Sequence, residues 1–221
     1  MPGKGMNAEE IQLLKDIEQT GLMIAICSGK TVYYLCGFMR QIGLKSPFLL
    51  GENGAVIQFG VDLPPGKYFV HPYSKEAGET IRLLEKAMKD RLPHLYFQPN
   101  QVELSPFPKN EEDFDIIQGV IDEYTERGLV QDVTIYRYFD AYDIVPANIT
   151  KRTGLSHLSE LTGIPAEQMI AVGDGANDYP MFEYAGCSVG VRIEGDDAPR
   201  LTHRVGSTIE ALQKVLELSS N

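Results

Sequence analysis

The sequence predicts an α/β protein with a three-layer, parallel-sheet core that is interrupted by an inserted α+β segment. Apolar strand patterns alternate with helical patterns at both ends of the chain, whereas the middle has a different texture. The runs "LMIAIC" (22–27) and "MIAVG" (169–173) are uninterrupted apolar stretches, which are typical of strands buried on both faces. A chain of 221 residues has room for a core of roughly 130 residues and a smaller unit.

The first part of the core is predicted from residues 1–60. A helix over 7–20 opens with Asn7 and Glu10 in capping-box spacing, and Gly21 ends it. The strand 22–27 follows, and then a helix over 31–42. Two further strands, "PFLLG" and "AVIQF", are joined by the turn "GENG". This alternation favours a parallel sheet.

The inserted α+β segment is predicted over residues 61–147. It begins with the Pro- and Gly-rich "VDLPPGKYFV" and continues with helices near 75–90 and 111–127. Extended stretches near 94–105 and in "DVTIYRYF" complete it. These residues are enough for a small domain, and we expect it to act as a lid.

The second part of the core is predicted from residues 148–221. It contains a helix over 150–161, the strand 169–173, a short helix and the strand "CSVGV". A last helix from Ser207 to about Leu218 has Ser207 and Glu210 in capping-box register.

Composition excludes several function classes. The formal charge of −11 argues against a nucleic-acid partner, because such proteins concentrate Lys and Arg. No apolar run approaches the roughly 18 residues of a membrane span. Three cysteines without ligand-like spacing, and an N-terminal stretch without an apolar signal region, predict a cytoplasmic protein.

The turn "GDGAND" carries two carboxylates directly after an apolar strand. Asp174 is expected at the carboxyl end of that strand, where ligands of open α/β sheets bind, and Asp178 begins the next helix. Asn177 can brace the loop. Oxygen ligands on a compact turn suit Mg²⁺, so Asp174 and Asp178 are the predicted metal residues. The alternative is that Asp178 caps the short helix and Asp174 only forms the turn.

A second candidate is "CSGKT" (27–31). The Ser28 hydroxyl and the neighbouring amide of Gly29 lie between a buried strand and a helix, a suitable place for an anion. The alternative is that Ser28 is an ordinary helix N-cap. A nucleotide-binding P-loop is disfavoured because Ile24 occupies the position of its first glycine.

The third candidate is Lys151, which opens the helix that precedes the acidic strand. The helix dipole disfavours a positive charge there, so a lysine at this position suggests a role in neutralising a phosphate and a carboxylate. The alternative is a solvated surface lysine.

These residues, in this order, resemble the haloacid dehalogenase-like phosphatases with an inserted α+β cap, the Cof, sugar-phosphate and archaeal phosphoglycolate phosphatase branch. Ser28, Lys151 and the pair Asp174 and Asp178 match that family's second, third and fourth motifs, and "GENG" and "NDYPMFEYAG" also resemble this branch. The resemblance covers nearly the whole chain from residue 7 and implies a Rossmann-like core.

The resemblance also implies Mg²⁺-dependent hydrolysis of a small phosphomonoester such as phosphoglycolate or a sugar phosphate. Ser28 and Lys151 are then the catalytic residues, Ser28, Gly29, Lys151 and Asn177 bind the phosphate, and Asp174 and Asp178 hold the metal. Aromatic residues around Tyr136, Tyr138 and Phe139 either line the substrate pocket or, more commonly for strand residues, lie in the core.

One element of the family pattern is missing. The family attacks phosphate with an aspartate of an Asp-x-Asp-x-[Thr/Val] motif at the end of its first, central strand. "MPGKGMNAEE" contains neither an aspartate nor an apolar strand. Asp113 and Asp115 have the spacing but follow "PKNEE", where they suit a helix N-terminus.

Two readings of the missing motif stay open. The chain is either a shortened phosphatase whose first strand lies upstream of Met1, or a non-catalytic relative that binds a phosphorylated metabolite or has a regulatory role. We expect little or no turnover from the chain as given. The neighbours of a missing strand would carry unpaired backbone groups, which predicts self-association, as in a homodimer.

Overall fold

The computed structural model describes residues 5–194 and 201–219, and no helix among them is long and apolar enough to cross a membrane. The helices are α1 (Ala8–Gln19), α2 (Val32–Ile42), α3 (Lys75–Arg91), α4 (Glu111–Glu126), α5 (Lys151–Thr162), α6 (Tyr179–Tyr184) and α7 (Thr208–Ser219). The strands are β1 (Ala25–Cys27), β2 (Phe48–Gly51), β3 (Val56–Phe59), β4 (Tyr68–Val70), β5 (Tyr96–Phe97), β6 (Pro106–Phe107), β7 (Val133–Arg137), β8 (Tyr142–Pro146), β9 (Ile170–Gly173), β10 (Cys187–Val191) and β11 (His203–Val205).

The core strands form two sheets with the orders β1-β2-β3-β4 and β11-β10-β9. Pairing is parallel between β1 and β2 and throughout the second sheet, which confirms the α/β class. β3 and β4, however, add antiparallel to the first sheet. The short turn Glu52–Gly54 between β2 and β3 explains this, because a parallel connection needs a crossover of a dozen or more residues.

The helix α1 begins as the sequence predicts. Asn7 and Glu10 form the reciprocal capping box, with the Asn7 side chain accepting from the Glu10 amide at 2.9 Å and the Glu10 carboxylate accepting from the Asn7 amide at 2.8 Å. Leu14 and Ile17 are buried against a cluster that also contains Leu212 and Val215 of α7. Helices α1 and α7 therefore lie together over one face of the core.

The middle of the chain buries a cluster of its own. Side chains of α3 and α4 pack against Tyr142 and Ile144 of β8, which pairs antiparallel with β7. Leu104 forms an isolated bridge to Ile144 and belongs to the same cluster. The first strand after residue 61, β4, pairs instead with β3 of the core sheet.

Strands β1 and β9 are both edges of their sheets in the described part of the chain. Their side chains contact the same hydrophobic cluster, Ile24 and Ile26 from one side and Ile170 and Val172 from the other. Ala25 is exposed, although it lies in a strand whose apolar run predicts complete burial. In the described part of the chain the core therefore consists of two sheets whose edge strands β1 and β9 contact the same cluster without pairing with each other.

Candidate phosphate-binding site

Lys151 is a buried cation at the start of α5. Thr150 caps this helix, with its hydroxyl accepting from the Thr153 amide at 3.2 Å. The Lys151 ammonium donates to Oδ1 of Asp178 at 2.5 Å, and the two side chains are 8% and 5% exposed. Lys151 is thus not a solvated surface residue, and its charge is balanced within the protein.

Asp178 also organises the turn that precedes it. Its Oδ2 accepts from the amides of Asp174 at 2.8 Å and Gly175 at 3.0 Å, so both carboxylate oxygens are engaged. Asp174 is exposed at the end of β9. In the described residues, no group of three or more His, Cys, Asp or Glu side chains is placed to hold a metal ion. The assignment of Mg²⁺ to Asp174 and Asp178 stays a prediction, and the geometry gives Asp178 a positioning role as well.

The charges around Lys151 keep it protonated. Burial alone lowers the pKa of Lys151, but the neighbouring Cys27 and Asp178, and then Asp174, raise it, and the net pKa lies above the usual 10.5. Burial raises the pKa of the Cys27 thiol to about 11, against the lowering effect of Lys151. Ile26 of β1 and Val172 of β9 also pack against one hydrophobic cluster, so the ends of these strands lie near Lys151.

Ser28 lies at the carboxyl end of β1, where its backbone bonds both to β2 and to the turn that follows β2. Its amide donates to the Leu50 carbonyl at 2.9 Å, and its carbonyl accepts from the Asn53 amide at 3.0 Å. Its hydroxyl accepts from the Lys30 amide at 3.2 Å. Ser28 is not the helix N-cap, because Thr31 caps α2 by accepting from the Tyr34 amide.

The turn "GENG" is strained and fully buried. Glu52 and Asn53 are consecutive non-glycine residues with φ of 53° and 54°, a conformation that costs of order 1 kcal/mol or more at each residue. The Glu52 carboxylate accepts from the amides of residues 101–103, with the shortest contact, to Val102, at 2.7 Å. The side chain of Gln98 donates to the Gly29 carbonyl at 2.8 Å. The inserted segment is therefore bonded directly to the loops of the candidate site.

A narrow gap of about 10 Å³, enough for about one water molecule, lies between the predicted residues and the inserted segment. Lys151 and Asn177 line it together with Asn53 and Tyr136, and its remaining lining residues are Ile149, Thr150 and Pro180. The structure thus brings two of the predicted phosphate residues together with one of the three aromatic candidates. Phe139, in contrast, is 73% exposed.

Two buried carboxylates beside this gap were missed by the sequence analysis. Asn53 Nδ2 donates to Glu103 at 2.8 Å and approaches Asp143 at 3.5 Å. Burial raises the pKa of Glu103 well above its usual range, and the charge of Asp143 adds to that effect. Burial also raises the pKa of Asp143. The only sequence signal was the alternation of polar and apolar residues in "VELS" and "YRYFDAYDIV".

Asp113 of the Asp-x-Asp pair in the inserted segment has a structural role. Asp113 lies in the first turn of α4, buried, where it accepts from the Lys109 amide at 2.9 Å and contacts His94 at 3.1 Å. Its pKa is lowered, chiefly by the Lys109 amide. For Asp113 this agrees with the expectation of a residue that stabilises a helix N-terminus, and for Asp115 it stays a prediction.

The sequence profile of a haloacid dehalogenase-like hydrolase family matches residues 85–198, more than half of the chain. The chain belongs to this family. Within the family the chain resembles the Cof-like phosphatases, in agreement with the relatives described next. Phosphatases of this family hydrolyse phosphomonoesters.

Several relatives carry phosphatase names. The phosphoglycolate phosphatase of Methanoculleus marisnigri is 26% identical over 192 residues, which are 85% of this chain and 76% of that protein. The phosphoglycolate phosphatase of Archaeoglobus fulgidus is 23% identical over 85% of this chain and 76% of its own length. A 5-amino-6-(5-phospho-D-ribitylamino)uracil phosphatase of Bacillus subtilis is 35% identical over 68 residues, 31% of this chain and 25% of that protein.

Solved structures support the fold. A haloacid dehalogenase-like hydrolase from Bacteroides thetaiotaomicron superposes with a TM-score of 0.73 at 17% identity, over 96% of this chain and 93% of the other. A protein from Thermoplasma acidophilum gives a TM-score of 0.69 at 15% identity, over 98% and 91%. The Rossmann-like core with an inserted cap is therefore shared by proteins of low sequence identity.

Proposed function

We propose that the chain provides the phosphate site of a Mg²⁺-dependent phosphomonoesterase that acts on a small phosphorylated metabolite. The observation that carries the proposal is the buried Lys151–Asp178 pair, beside which Asn177 also lies. A desolvated ammonium at the end of parallel strands is suited to neutralise a phosphate group. The relatives named as phosphatases agree with this reaction class.

Each predicted residue has a role in this proposal. Lys151 neutralises a phosphate oxygen, and Asp178 fixes the position of the Lys151 ammonium. The Ser28 hydroxyl accepts from the Lys30 amide, so its own proton is available for a phosphate oxygen. Asn177 lines the same gap as Lys151, and we assign the Gly29 amide, next to Ser28, to the same binding surface.

Asp174 is the residue that would hold Mg²⁺. Its carboxylate is exposed at the carboxyl end of β9, and Mg²⁺ is commonly held by one or two carboxylates together with substrate phosphate and water. When bound, the ion would reduce the negative charge of the phosphate. Both oxygens of Asp178 already accept hydrogen bonds, so we assign it the weaker share of metal binding.

A second function, binding without hydrolysis, is favoured by the edge positions of β1 and β9 in the described part of the chain. In the described part of the chain, β1 and β9 flank the site without a strand between them that could carry an attacking aspartate. A chain that binds a phosphorylated metabolite without hydrolysing it fits this arrangement. For either function we keep residues 61–147 as the proposed cap, residues 1–60 and 148–221 as the proposed core, and the cytoplasm as the proposed location.

The deciding experiment compares hydrolysis with binding. Phosphate release from a panel of phosphomonoesters is measured with Mg²⁺ for the chain, Asp174→Ala and Lys151→Met, and the affinity for inorganic phosphate is measured in parallel. Release that both substitutions abolish supports the esterase. Phosphate binding that Lys151→Met weakens, without release, supports the binding protein. Binding that is indifferent to Lys151→Met contradicts both.

A further inference from the structure

Two of the four histidines lie together where the chain first leaves the core. His71 directly follows β4, and its amide donates to the Ala55 carbonyl at 2.7 Å. His157 lies in the middle of α5. The centroids of the two imidazole rings are 5.5 Å apart, and the ring planes are inclined by 82°. Two residues that are distant in the sequence thus present their imidazoles to each other.

The ring of His71 has a fixed tautomer. Its Nδ1 lies 3.0 Å from the carbonyl oxygen of Pro72. Because a carbonyl oxygen only accepts, Nδ1 carries the proton in the neutral ring, and Nε2 retains its lone pair. A hydrogen bond from one ring nitrogen to a backbone carbonyl is also a common way to orient a histidine that binds a metal through its other nitrogen.

His157 adds a second observation that points to a ligand. Its Nδ1 is buried and has no hydrogen-bond partner in the described part of the chain. The ring of Phe69, whose centroid is 6.0 Å away, and the ring of His71 pack against it. A buried nitrogen without a partner costs free energy, which a bound ligand would recover.

The spacing of the two rings fits one shared metal ion. Two imidazoles that bind one Zn²⁺ through bonds of about 2.0–2.1 Å have ring centroids roughly 5 Å apart. Imidazole nitrogen suits Zn²⁺, Ni²⁺ and Cu²⁺, whereas Mg²⁺ and Ca²⁺ take oxygen ligands. Among the residues that the structure describes, no third His, Cys, Asp or Glu joins the pair as a metal ligand. Water would therefore fill the remaining coordination positions.

The pair lies at the junction between the core and the inserted segment. The carbonyl of Pro72, next to His71, accepts from Asn148 Nδ2 at 2.9 Å. The chain leaves the core at the first of these residues and returns to it at the second. His157 belongs to the helix that opens with Lys151. A metal ion on the two histidines would therefore tie this junction to α5.

We propose that His71 and His157 bind a divalent transition metal of the Zn²⁺ type, through Nε2 of His71 and Nδ1 of His157. The ion holds the junction of the inserted segment against α5. The site is separate from the proposed phosphate site, because it uses imidazole nitrogens and neither Lys151 nor the carboxylates proposed for Mg²⁺.

Calorimetric titration with Zn²⁺ tests the site. The untagged full chain is titrated at neutral pH in an excess of Mg²⁺, which prefers oxygen ligands. We expect one Zn²⁺ per chain. His71→Asn and His157→Gln should each weaken binding at least about tenfold, because each removes one of only two protein ligands. The matched controls are His94→Gln, whose histidine already contacts Asp113, and His203→Gln in β11. Both controls should leave the affinity unchanged.

Two further measurements identify the ligands. Pulsed electron paramagnetic resonance of the Cu²⁺-loaded protein should show two coordinated imidazoles in the natural chain and one in either variant. Zn²⁺ should also raise the thermal midpoint of the natural chain, because it binds the folded state, and should not raise that of the variants. Circular dichroism verifies that the variants are folded.

Each outcome decides the proposal. The absence of Zn²⁺ binding overturns it, and so does binding that survives both substitutions, which would assign the ion to other residues such as the free cysteines. If a variant fails to fold, the Cu²⁺ spectrum of the natural chain decides, and fewer than two coordinated imidazoles contradicts the site. The proposed phosphate site stands or falls separately, through its binding of inorganic phosphate.

Discussion

The Nζ of Lys151 lies 2.5 Å from Oδ1 of Asp178, although 27 positions separate the two residues in the sequence. The pair joins the start of α5 to the turn after β9, and Asp178 fixes that turn through two further backbone hydrogen bonds. Because both side chains are buried, each charge depends on the other. This relationship links the stability of the core to the geometry of the proposed phosphate site.

Lys151→Met should destabilise the protein by about 3 kcal/mol, because it leaves the buried Asp178 carboxylate without its cation. The double variant Lys151→Met with Asp178→Asn should lose less than the sum of the two single variants, since it leaves no unpaired charge. Urea unfolding of the four proteins measures both quantities. Additive losses would show that the two side chains do not interact.

The pair also predicts a dependence on alkaline pH. The folded-state pKa of Lys151 lies above 10.5, its usual value. A raised pKa means that the stabilisation is fully present below the unfolded pKa and is lost as the pH rises through the folded one. Cys27, whose pKa is raised to about 11 from 9.0, acts in the same direction. Stability should therefore begin to fall above about pH 9, the unfolded value of the thiol, and fall less steeply in Lys151→Met.

Gly154 of α5 meets the "GENG" turn at a distance that excludes a side chain. A Cβ at Gly154 would lie 2.6 Å from the Cα of Gly54, whose own φ is 96°. Gly154→Ala should cost about 1–3 kcal/mol through overpacking and displace the turn that positions Asn53. The matched control is Gly119→Ala in α4, where nothing lies within 4 Å of a Cβ.

Gly119→Ala should stabilise the protein by up to about 1 kcal/mol, since alanine favours a helix interior over glycine. Thermal unfolding of the two variants in the same buffer gives the comparison. If both substitutions stabilise, the contact between α5 and the turn is looser than the structure shows.

Local spacing was sufficient to predict much of the fold. The capping box of Asn7 and Glu10 depends only on residues three positions apart, and it was correctly predicted. The apolar runs around β1 and β9 correctly indicated strands of parallel sheets, although neither strand is buried along its whole length. The antiparallel addition of β3 was missed, although the short "GENG" turn leaves no room for a crossover.

The burial of Glu103 and Asp143 beside the candidate site could not be predicted in the same way. The alternation in "YRYFDAYDIV" shows that the two faces of the β7–β8 pair differ in polarity, but it does not show which face meets the core. That choice depends on the bridge between Leu104 and Ile144, forty positions apart, and on the burial of Tyr142 in the cap cluster. Similarly, motif order placed Lys151 near the acidic turn, whereas its direct bond to Asp178 required the folded chain.

Glu103 predicts a dependence of stability on acidic to neutral pH. Its folded-state pKa lies well above the usual 4.5, chiefly through burial. The associated stabilisation is therefore fully present below pH 4.5, the unfolded value, and is lost as the pH rises through the folded pKa. Glu103→Gln removes this loss and should be more stable than the natural chain at neutral pH by about 1 kcal/mol.

The measurement is urea unfolding of both proteins from pH 4.5 upward. The stability difference should grow with pH, and the exposed Glu112→Gln should show no such trend. A difference that is constant with pH would mean that the Glu103 carboxyl is not held protonated by its surroundings.

The open edges of β1 and β9 predict self-association. In a parallel strand alternate residues bond to each side, and Ile24 and Ser28 bond to β2, so the backbone groups of Ala25 and Cys27 point away from it. Unpaired edge groups are templates for another strand. Light scattering should therefore show a mass that rises with concentration toward a dimer or larger species.

Ala25→Lys places a charge on this edge and should reduce the association, whereas Gln12→Lys adds the same charge to the exposed face of α1 and should not. A monodisperse monomer at high concentration would show that the edges are protected within the chain itself.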